Sequence, residues 1–307
     1  MKIYSERPSH PLPAMAATIG FFDGVHPGHQ FLLQQVKELA RERNMSTGVI
    51  TFPIHPRKVL QADYHPQLLS TPEEKLDILS KFELDYCLLL PFTFELSQLS
   101  AREFMQFLHD SFHIRLLVIG YDHRFGHKRS ESFEDYCRYG AEIGIQIERA
   151  TAYTQEGDQV SSSAIRRLLL AGKVDEAAVL LGHSYTVGGK VVSGFQMGRK
   201  MGFPTANIGI TCADKLIPMD GVYAVYVDCN QKRYAGMLNI GFRPTLNNGK
   251  NRSIEVHLIG FDGDLYEQSI QVTFVQFIRP EIKFDGIEEL IEQMKKDRET
   301  ALRYLPL

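Results

Sequence analysis

The sequence predicts an α/β protein in two parts, an N-terminal domain on an open parallel sheet and a C-terminal β-barrel with a terminal helix. Three observations predict it. Short apolar runs alternate with longer helical segments up to about Gly182, the pattern turns strand-like after Ser184, and the last stretch carries Ile287, Leu290, Ile291 and Met294 on one stripe. Short, continuously apolar runs suit strands buried on both faces, and β-α-β-α order needs crossovers that make the sheet parallel.

In the first half, strands are expected at Met15–Ile19, Gly48–Phe52, Tyr86–Leu90 and Leu116–Ile119, with a weaker one at Ile143–Ile147. Helices fit Pro27–Arg43, Pro72–Phe82, Ala101–Phe112 and Phe133–Ala141; the second is opened by Ser70-Thr71-Pro72-Glu73, a cap followed by a first-turn proline. The binding crevice of such a sheet lies at the C-terminal ends of its strands. In the second half, Tyr185–Val192, Val222–Val227, Tyr234–Leu238, Ile254–Leu258 and Ile270–Phe277 read as strands separated by glycine-rich turns. Closing them into a barrel removes exposed edges, and the amphipathic segment Ile287–Leu302 can cover it. Two domains are expected, 1–183 and 184–307.

The composition excludes several classes of protein. Lysine and arginine number 34 against 37 acidic residues, a net charge of −3, so the surface is not built to neutralise a nucleic acid. Apolar residues at 44% and charged ones at 23% are those of a globular chain. No apolar run is long enough to span a bilayer, and Cys87, Cys137, Cys212 and Cys229 lack Cys-x-x-Cys spacing. A cytoplasmic protein with no membrane or nucleic-acid partner is expected; the sequence sets no oligomeric state.

Two constellations carry chemistry. Gly20-Phe21-Phe22-Asp23-Gly24-Val25-His26-Pro27-Gly28-His29 leads from the first strand into the first helix. Gly20 and Gly24 allow a tight turn, and His26 and His29, three apart, can face one ligand at the helix start. Amides at a helix N-terminus attract phosphate, and imidazoles beside them can offset charge on a transferring phosphoryl group. A zinc site would need a third ligand at a recognisable spacing, and Gly189-Lys190-Val191 is not a Walker loop. The second constellation runs from Gly194 through Gly198, Lys200, Gly202, Phe203 and Pro204 to Thr205 and Asn207. If Thr205 to Asn207 is extended, a hydroxyl and an amide point to one side and can hold Mg²⁺ and phosphates. In Ser253-Ile254-Glu255-Val256-His257-Leu258, Glu255 and His257 share the face opposite the apolar residues. That face is either solvent or the seat of a carboxylate that takes a proton from an attacking hydroxyl.

The first constellation resembles the Rossmann-like HxGH nucleotidyltransferases, in the version found in prokaryotic bifunctional riboflavin kinase/FMN adenylyltransferases (FAD synthetases). Supporting blocks are Thr51-Phe52-Pro53-Ile54-His55-Pro56, Gly120-Tyr121-Asp122-His123-Arg124-Phe125-Gly126 and Val160-Ser161-Ser162-Ser163-Ala164-Ile165-Arg166. The resemblance implies His26 and His29 as catalytic residues. It implies ATP contacts at Gly20, Phe21, Phe22, Asp23, Gly24, Gly28, Ser161, Ser162, Ser163 and Arg166, and flavin contacts at His55, Pro56, Asp122 and Phe125. Family members usually carry Phe where His123 stands and glycine where this chain has Ser130-Glu131, which bears on the flavin contacts.

The second half is similar to the riboflavin kinase module, through Gly202-Phe203-Pro204-Thr205-Ala206-Asn207, Asp220-Gly221-Val222-Tyr223, Asn239-Ile240-Gly241-Phe242-Arg243-Pro244-Thr245 and Ile254-Glu255-Val256-His257. By that resemblance Gly194, Gly198, Lys200, Gly202, Phe203 and Pro204 bind ATP, Thr205 and Asn207 hold Mg²⁺, and Glu255 is the base toward the ribityl 5′-hydroxyl. Glu267 follows Tyr266 where glycine is common. The implied function is phosphorylation of riboflavin to FMN by ATP, then adenylyl transfer from ATP to FMN giving FAD and pyrophosphate. The alternatives are another HxGH transferase, or a flavin-binding regulator or carrier without turnover.

Overall fold

The computed structural model describes residues 1–61, 63–121, 123–127, 131–153, 160–193, 198, 201–242 and 252–306. Within it the chain forms two compact units, Met1–Val160 and Ser161–Leu307.

In the first unit, β1 (Lys2–Tyr4), β2 (Met15–Ile19), β3 (Ser46–Thr51), β4 (Tyr86–Leu89), β5 (Ile114–Ile119) and β6 (Gln146–Arg149) form one sheet in the order β1-β4-β3-β2-β5-β6. Every pairing is parallel. Helices α1 (Pro27–Glu42), α2 (Pro56–Leu60), α3 (Pro72–Ser80), α4 (Phe94–Gln98), α5 (Ala101–Phe112) and α6 (Phe133–Ile143) make the crossovers. Alternation along β2 shows why its run is wholly apolar or small: Met15, Ala17 and Ile19 join the core beneath α5, while Ala16 packs with Val36 and Ala40 of α1. Capping boxes start α3 at Thr71, α5 at Ser100 and α6 at Ser132.

The weak strand expected at Ile143–Ile147 lies later, at Gln146–Arg149, because α6 runs on to Ile143 and ends on left-handed Gly144. β1, α2 and α4 were not expected; at three to five residues each they carry too little periodicity to read.

In the second unit, β7 (Thr186–Val192), β8 (Ala206–Ile210), β9 (Gly221–Cys229), β10 (Lys232–Phe242), β11 (Arg252–Leu258) and β12 (Ser269–Arg279) close into an antiparallel barrel in the order β10-β11-β8-β7-β12-β9. The terminal helix (Ile287–Tyr304) lies on its outer wall, where Ala224, Ala235 and Met237 of the strands meet Ala301 and Leu305. The β-rich text begins near residue 184, but the compact unit begins earlier. Helices α7 (Ser162–Leu170) and α8 (Val174–Leu181) pack with the barrel: Met219 N donates to Leu169 O at 3.1 Å, and a Cβ on Gly172 would lie 2.7 Å from Met219 Cε. Among the described residues no helix is long and apolar enough to cross a membrane.

Candidate functional site

The turn after β2 is built around a buried carboxylate. Asp23 accepts hydrogen bonds from Leu69 N at 2.9 Å and Ser70 N at 3.1 Å, and Gly24 N donates to Ser70 Oγ at 2.9 Å. These bonds hold three left-handed residues within a stretch of four: Phe22 at φ 56°, Gly24 at φ 78° and Val25 at φ 44°. For a β-branched residue such a φ is an outlier, costing roughly 1–3 kcal/mol, and it persists only where the surroundings over-determine it. The result delivers His26 as the N-cap of α1 and His29 one turn later, with rings stacked at 3.7 Å between centroids and 19° between planes. Gly28 is needed between them, since a Cβ there would press on the His26 ring at 3.2 Å. His29 is partly buried, and its Nδ1 is shielded from solvent with no hydrogen-bond partner. Desolvation, then the neighbouring His26, Lys75 and His123, pushes its pKa well below 6.5, so the imidazole is neutral at pH 7.

Beside this turn, at the C-terminal ends of β2 to β5, lies a cavity of about 400 Å³ walled by Phe21, Phe52, His55, Phe92, His123 and Phe125. Of the residues expected to touch flavin, His55 caps α2, accepting from Arg57 N at 3.2 Å, and Pro56 opens that helix. Phe125 is buried with its ring stacked on Tyr136 at 4.4 Å, while the Tyr136 hydroxyl donates to Phe125 O and accepts from Phe125 N, each at 3.1 Å. His123 stands in the same wall. Asp122 and Ser130 lie outside the described residues. Phe21, expected with the nucleotide, turns its ring to this cavity, edge-on to His55 at 4.7 Å, whereas Phe22 packs inside the core beside His29. A Cβ on Gly20 would touch the Phe22 ring at 3.0 Å. Ser161 caps α7, accepting from Ala164 N, and Ser162, Ser163 and Arg166 occupy its first turns, in the second compact unit.

In the barrel, Asn207 on β8 stands opposite Glu255 on β11, so the two side chains leave the same face of the sheet. Thr205 Oγ1 lies 3.4 Å from Glu255 Oε2, and His257 Nδ1 donates to Pro204 O at 2.8 Å. Burial lowers the His257 pKa despite that bond. Phe203 packs edge-on to His257 at 5.3 Å, and Phe203 N donates to the carbonyl of Gly198 at 2.9 Å. No side chain fits at Gly198, where a Cβ would sit 2.2 Å from Phe203 O. Gly202 turns the chain at φ 79°. Gly194 and Lys200 lie outside the described residues.

The face carrying Glu255 and His257 is not open solvent. It is one wall of a cavity of about 380 Å³, with Leu290 and Met294 of the terminal helix on the other side. A second cavity of about 200 Å³ runs from Pro204 and Ala206 to the segment Phe261–Tyr266, and Thr205 borders both. Under the first, Arg279 grips Asp297 through Nε at 2.9 Å and Nη2 at 2.7 Å, and Gln293 donates to the same carboxylate. Glu267 sits at φ 64°, in the left-handed conformation glycine would take, with its carboxylate paired to Lys190.

Two family models cover the chain, FAD synthetase over residues 9–164 and riboflavin kinase over 181–305. Bifunctional riboflavin kinase/FMN adenylyltransferases match over most of their length. The one from Listeria monocytogenes is 37% identical over 92% of this chain and 89% of its own, that from Escherichia coli 36% over 97% and 95%. The chain belongs to this family. The Bacillus subtilis member is 35% identical over 93% of this chain. A crystal structure of a macrolide-efflux protein from Streptococcus pneumoniae has a TM-score of 0.88 at 29% identity, over 99% of both chains.

Some residues that build the sites had not been singled out. Lys75 falls on the buried stripe of α3 with Leu79, four residues on, and a lysine at such a position is the signal that reading for motifs passes over. Tyr136, Arg279 and Asp297 carry no local signal, because their partners are distant in sequence.

Proposed function

We propose that residues 1–183 transfer an adenylyl group from ATP to FMN at the His26–His29 pair, and that residues 184–307 phosphorylate riboflavin with Glu255 as base. As a member of its family the chain is a riboflavin kinase and FMN adenylyltransferase, consuming ATP in both steps and yielding FMN and FAD. The observation that carries the assignment is that one chain holds two separately built sites, each beside its own cavity.

In adenylyl transfer the FMN phosphate attacks the α-phosphorus of ATP in line, and pyrophosphate leaves. A phosphate dianion is already a nucleophile, so no base is required. What the site must supply is donors for charge accumulating on the phosphoryl oxygens. The neutral imidazole of His29 and the stacked His26 are suited to that. To the triphosphate we assign the amides of the Gly20–Gly24 turn and Gly28. The flavin ring belongs in the aromatic cavity, against His55, Pro56 and Phe125.

Riboflavin phosphorylation differs because an alcohol attacks. Glu255 faces the cavity where that alcohol would enter, and it is positioned to take the proton as the oxygen–phosphorus bond forms. Thr205, bordering both barrel cavities, is where a nucleotide on one side meets a flavin on the other. Mg²⁺ fits the donors present. Thr205 and Asn207 offer two hard oxygens, too few to cage an ion but enough to seat one already held by phosphates. Such an ion would supply charge neutralisation between the phosphates. The four cysteines are free thiols, which supports a cytoplasmic setting.

The test separates the sites. His29→Ala is expected to abolish FAD formation from FMN while riboflavin is still phosphorylated, and Glu255→Gln to do the reverse, both in Mg²⁺. Loss of both activities in either folded variant would contradict the two-site assignment.

A further inference from the structure

The first unit buries a lysine that the reaction as described does not use. Lys75, on α3, is 2% exposed, and its ammonium donates to Phe21 O at 3.0 Å, Thr51 Oγ1 at 3.2 Å and Phe52 O at 2.8 Å. All three partners are neutral oxygens. The same nitrogen stands 4.1 Å above the centroid of the Phe21 ring. Thr51 Oγ1 in turn donates to Phe21 O at 3.1 Å, so that one carbonyl receives two donors.

A buried charge without a carboxylate in hydrogen-bond contact is an expensive way to fill space. A leucine or methionine would pack α3 against the sheet at less cost. What the ammonium does that they could not is join two segments. Phe21 follows β2 and Phe52 follows β3, and the two strands hydrogen-bond no further toward the crevice than Gly20 N to Ile50 O. Beyond that point Lys75 and Thr51 take over as the ties between the segments. The rings of Phe21 and Phe52 form adjoining parts of the aromatic wall.

We propose that Lys75 is a positioning residue for FMN adenylylation: its ammonium clamps the ends of β2 and β3 so that the Phe21 and Phe52 walls are held at the spacing a flat flavin ring needs. The clamp rests on the assignment of this cavity to flavin. Desolvation lowers the Lys75 pKa to about 8, so the clamp remains a cation at pH 7. Asp23 and Cys87 are the groups that favour that charge, and the cation disfavours protonation of His29 nearby.

The experiment uses the full chain, with Lys75→Met and Thr51→Val made singly and together. Initial rates of FAD formation are measured against FMN and against ATP, and circular dichroism with a thermal melt on the same samples reports that the parallel-sheet unit carrying both substitutions is folded. Lys75→Met is expected to raise KM for FMN by about tenfold, a fraction of the loss a misplaced reactant can cause, and KM for ATP by less, since Phe21 also lies in the turn assigned to the triphosphate. Thr51→Val should raise the FMN constant in the same direction by less. The double variant should fall short of the product of the two, because both changes act on the Phe21 carbonyl.

A uniform fall in kcat with both Michaelis constants unchanged would overturn the clamp, as would multiplicative effects. If Lys75→Met makes no FAD at all, Thr51→Val decides: a normal KM for FMN there refutes the proposal, and a raised one upholds it. Failure of the wild-type chain to convert FMN to FAD would instead sink the assignment on which the clamp rests.

Discussion

Removing Asp297 should loosen the barrel wall beside the cavity of about 380 Å³. Asp297, 3% exposed on the terminal helix, holds Arg279 of β12 through three contacts of 2.7–3.1 Å and accepts from Gln293 at 2.9 Å. Side-chain exposure is 4% for Asp297 and 15% for Arg279, so the surface-pair discount does not apply. Asp297→Ala leaves a guanidinium buried without its counter-charge, for which the penalty is about 3–5 kcal/mol. With a urea slope of about 2 kcal/mol per molar, the midpoint of the barrel should fall by about 2 M. Asp297→Asn keeps the shape and one neutral acceptor, so it should lose less. Riboflavin phosphorylation followed across a urea series reads the barrel. The expected result is a loss of that activity about 2 M earlier than in the wild-type chain. A midpoint shift below about 0.5 M for Asp297→Ala would refute the reasoning, because the pair would then be worth no more than a surface one.

Glu267 offers a second test. Alanine and glycine both remove the pairing with Lys190, but only glycine relieves the left-handed backbone at φ 64°; Glu267→Gly should therefore be more stable than Glu267→Ala by about 1 kcal/mol in the same denaturation series, and equal stabilities would argue against strain there. The third concerns acid. Because the folded-state pKa of His29 is depressed, its contribution to stability is present above pH 6.5 and is lost as pH falls from 6.5 toward the folded value, where the unfolded chain binds the proton first. Thermal unfolding between pH 7 and 5 should show the parallel-sheet domain losing stability more steeply in the wild type than in His29→Gln; parallel slopes would show that the imidazole is not buried as described.

Much of the architecture was legible in the linear chain, for reasons that are local. The run Met15–Ile19 and the helix Ala101–Phe112 fall where the pattern places them, because each is set by its own apolar period and by its own caps. The paired histidines, the glycines before them and the acid on β11 were visible for a like reason: their spacing along one element determines which way they point. β8 was harder to see, since Ala-Asn-Ile-Gly-Ile has little strand character and is made a strand by pairing with β7 and β11. The covering of Glu255 and His257 by the terminal helix was equally hidden, for strand alternation tells that two faces differ but not what lies on each.

The sequence by itself therefore determined the two classes of domain, their order and the residues able to do chemistry. Tertiary structure decided which of them stand together and what holds them there. Asp23 finds its donors 46 and 47 residues away, Lys75 ties down oxygens 23 to 54 residues distant, and Thr205 meets Glu255 across 50. Contacts of that separation are selected by the packing of whole elements against one another, and the free energy that selects them is spread over the core, not written in any short stretch of chain.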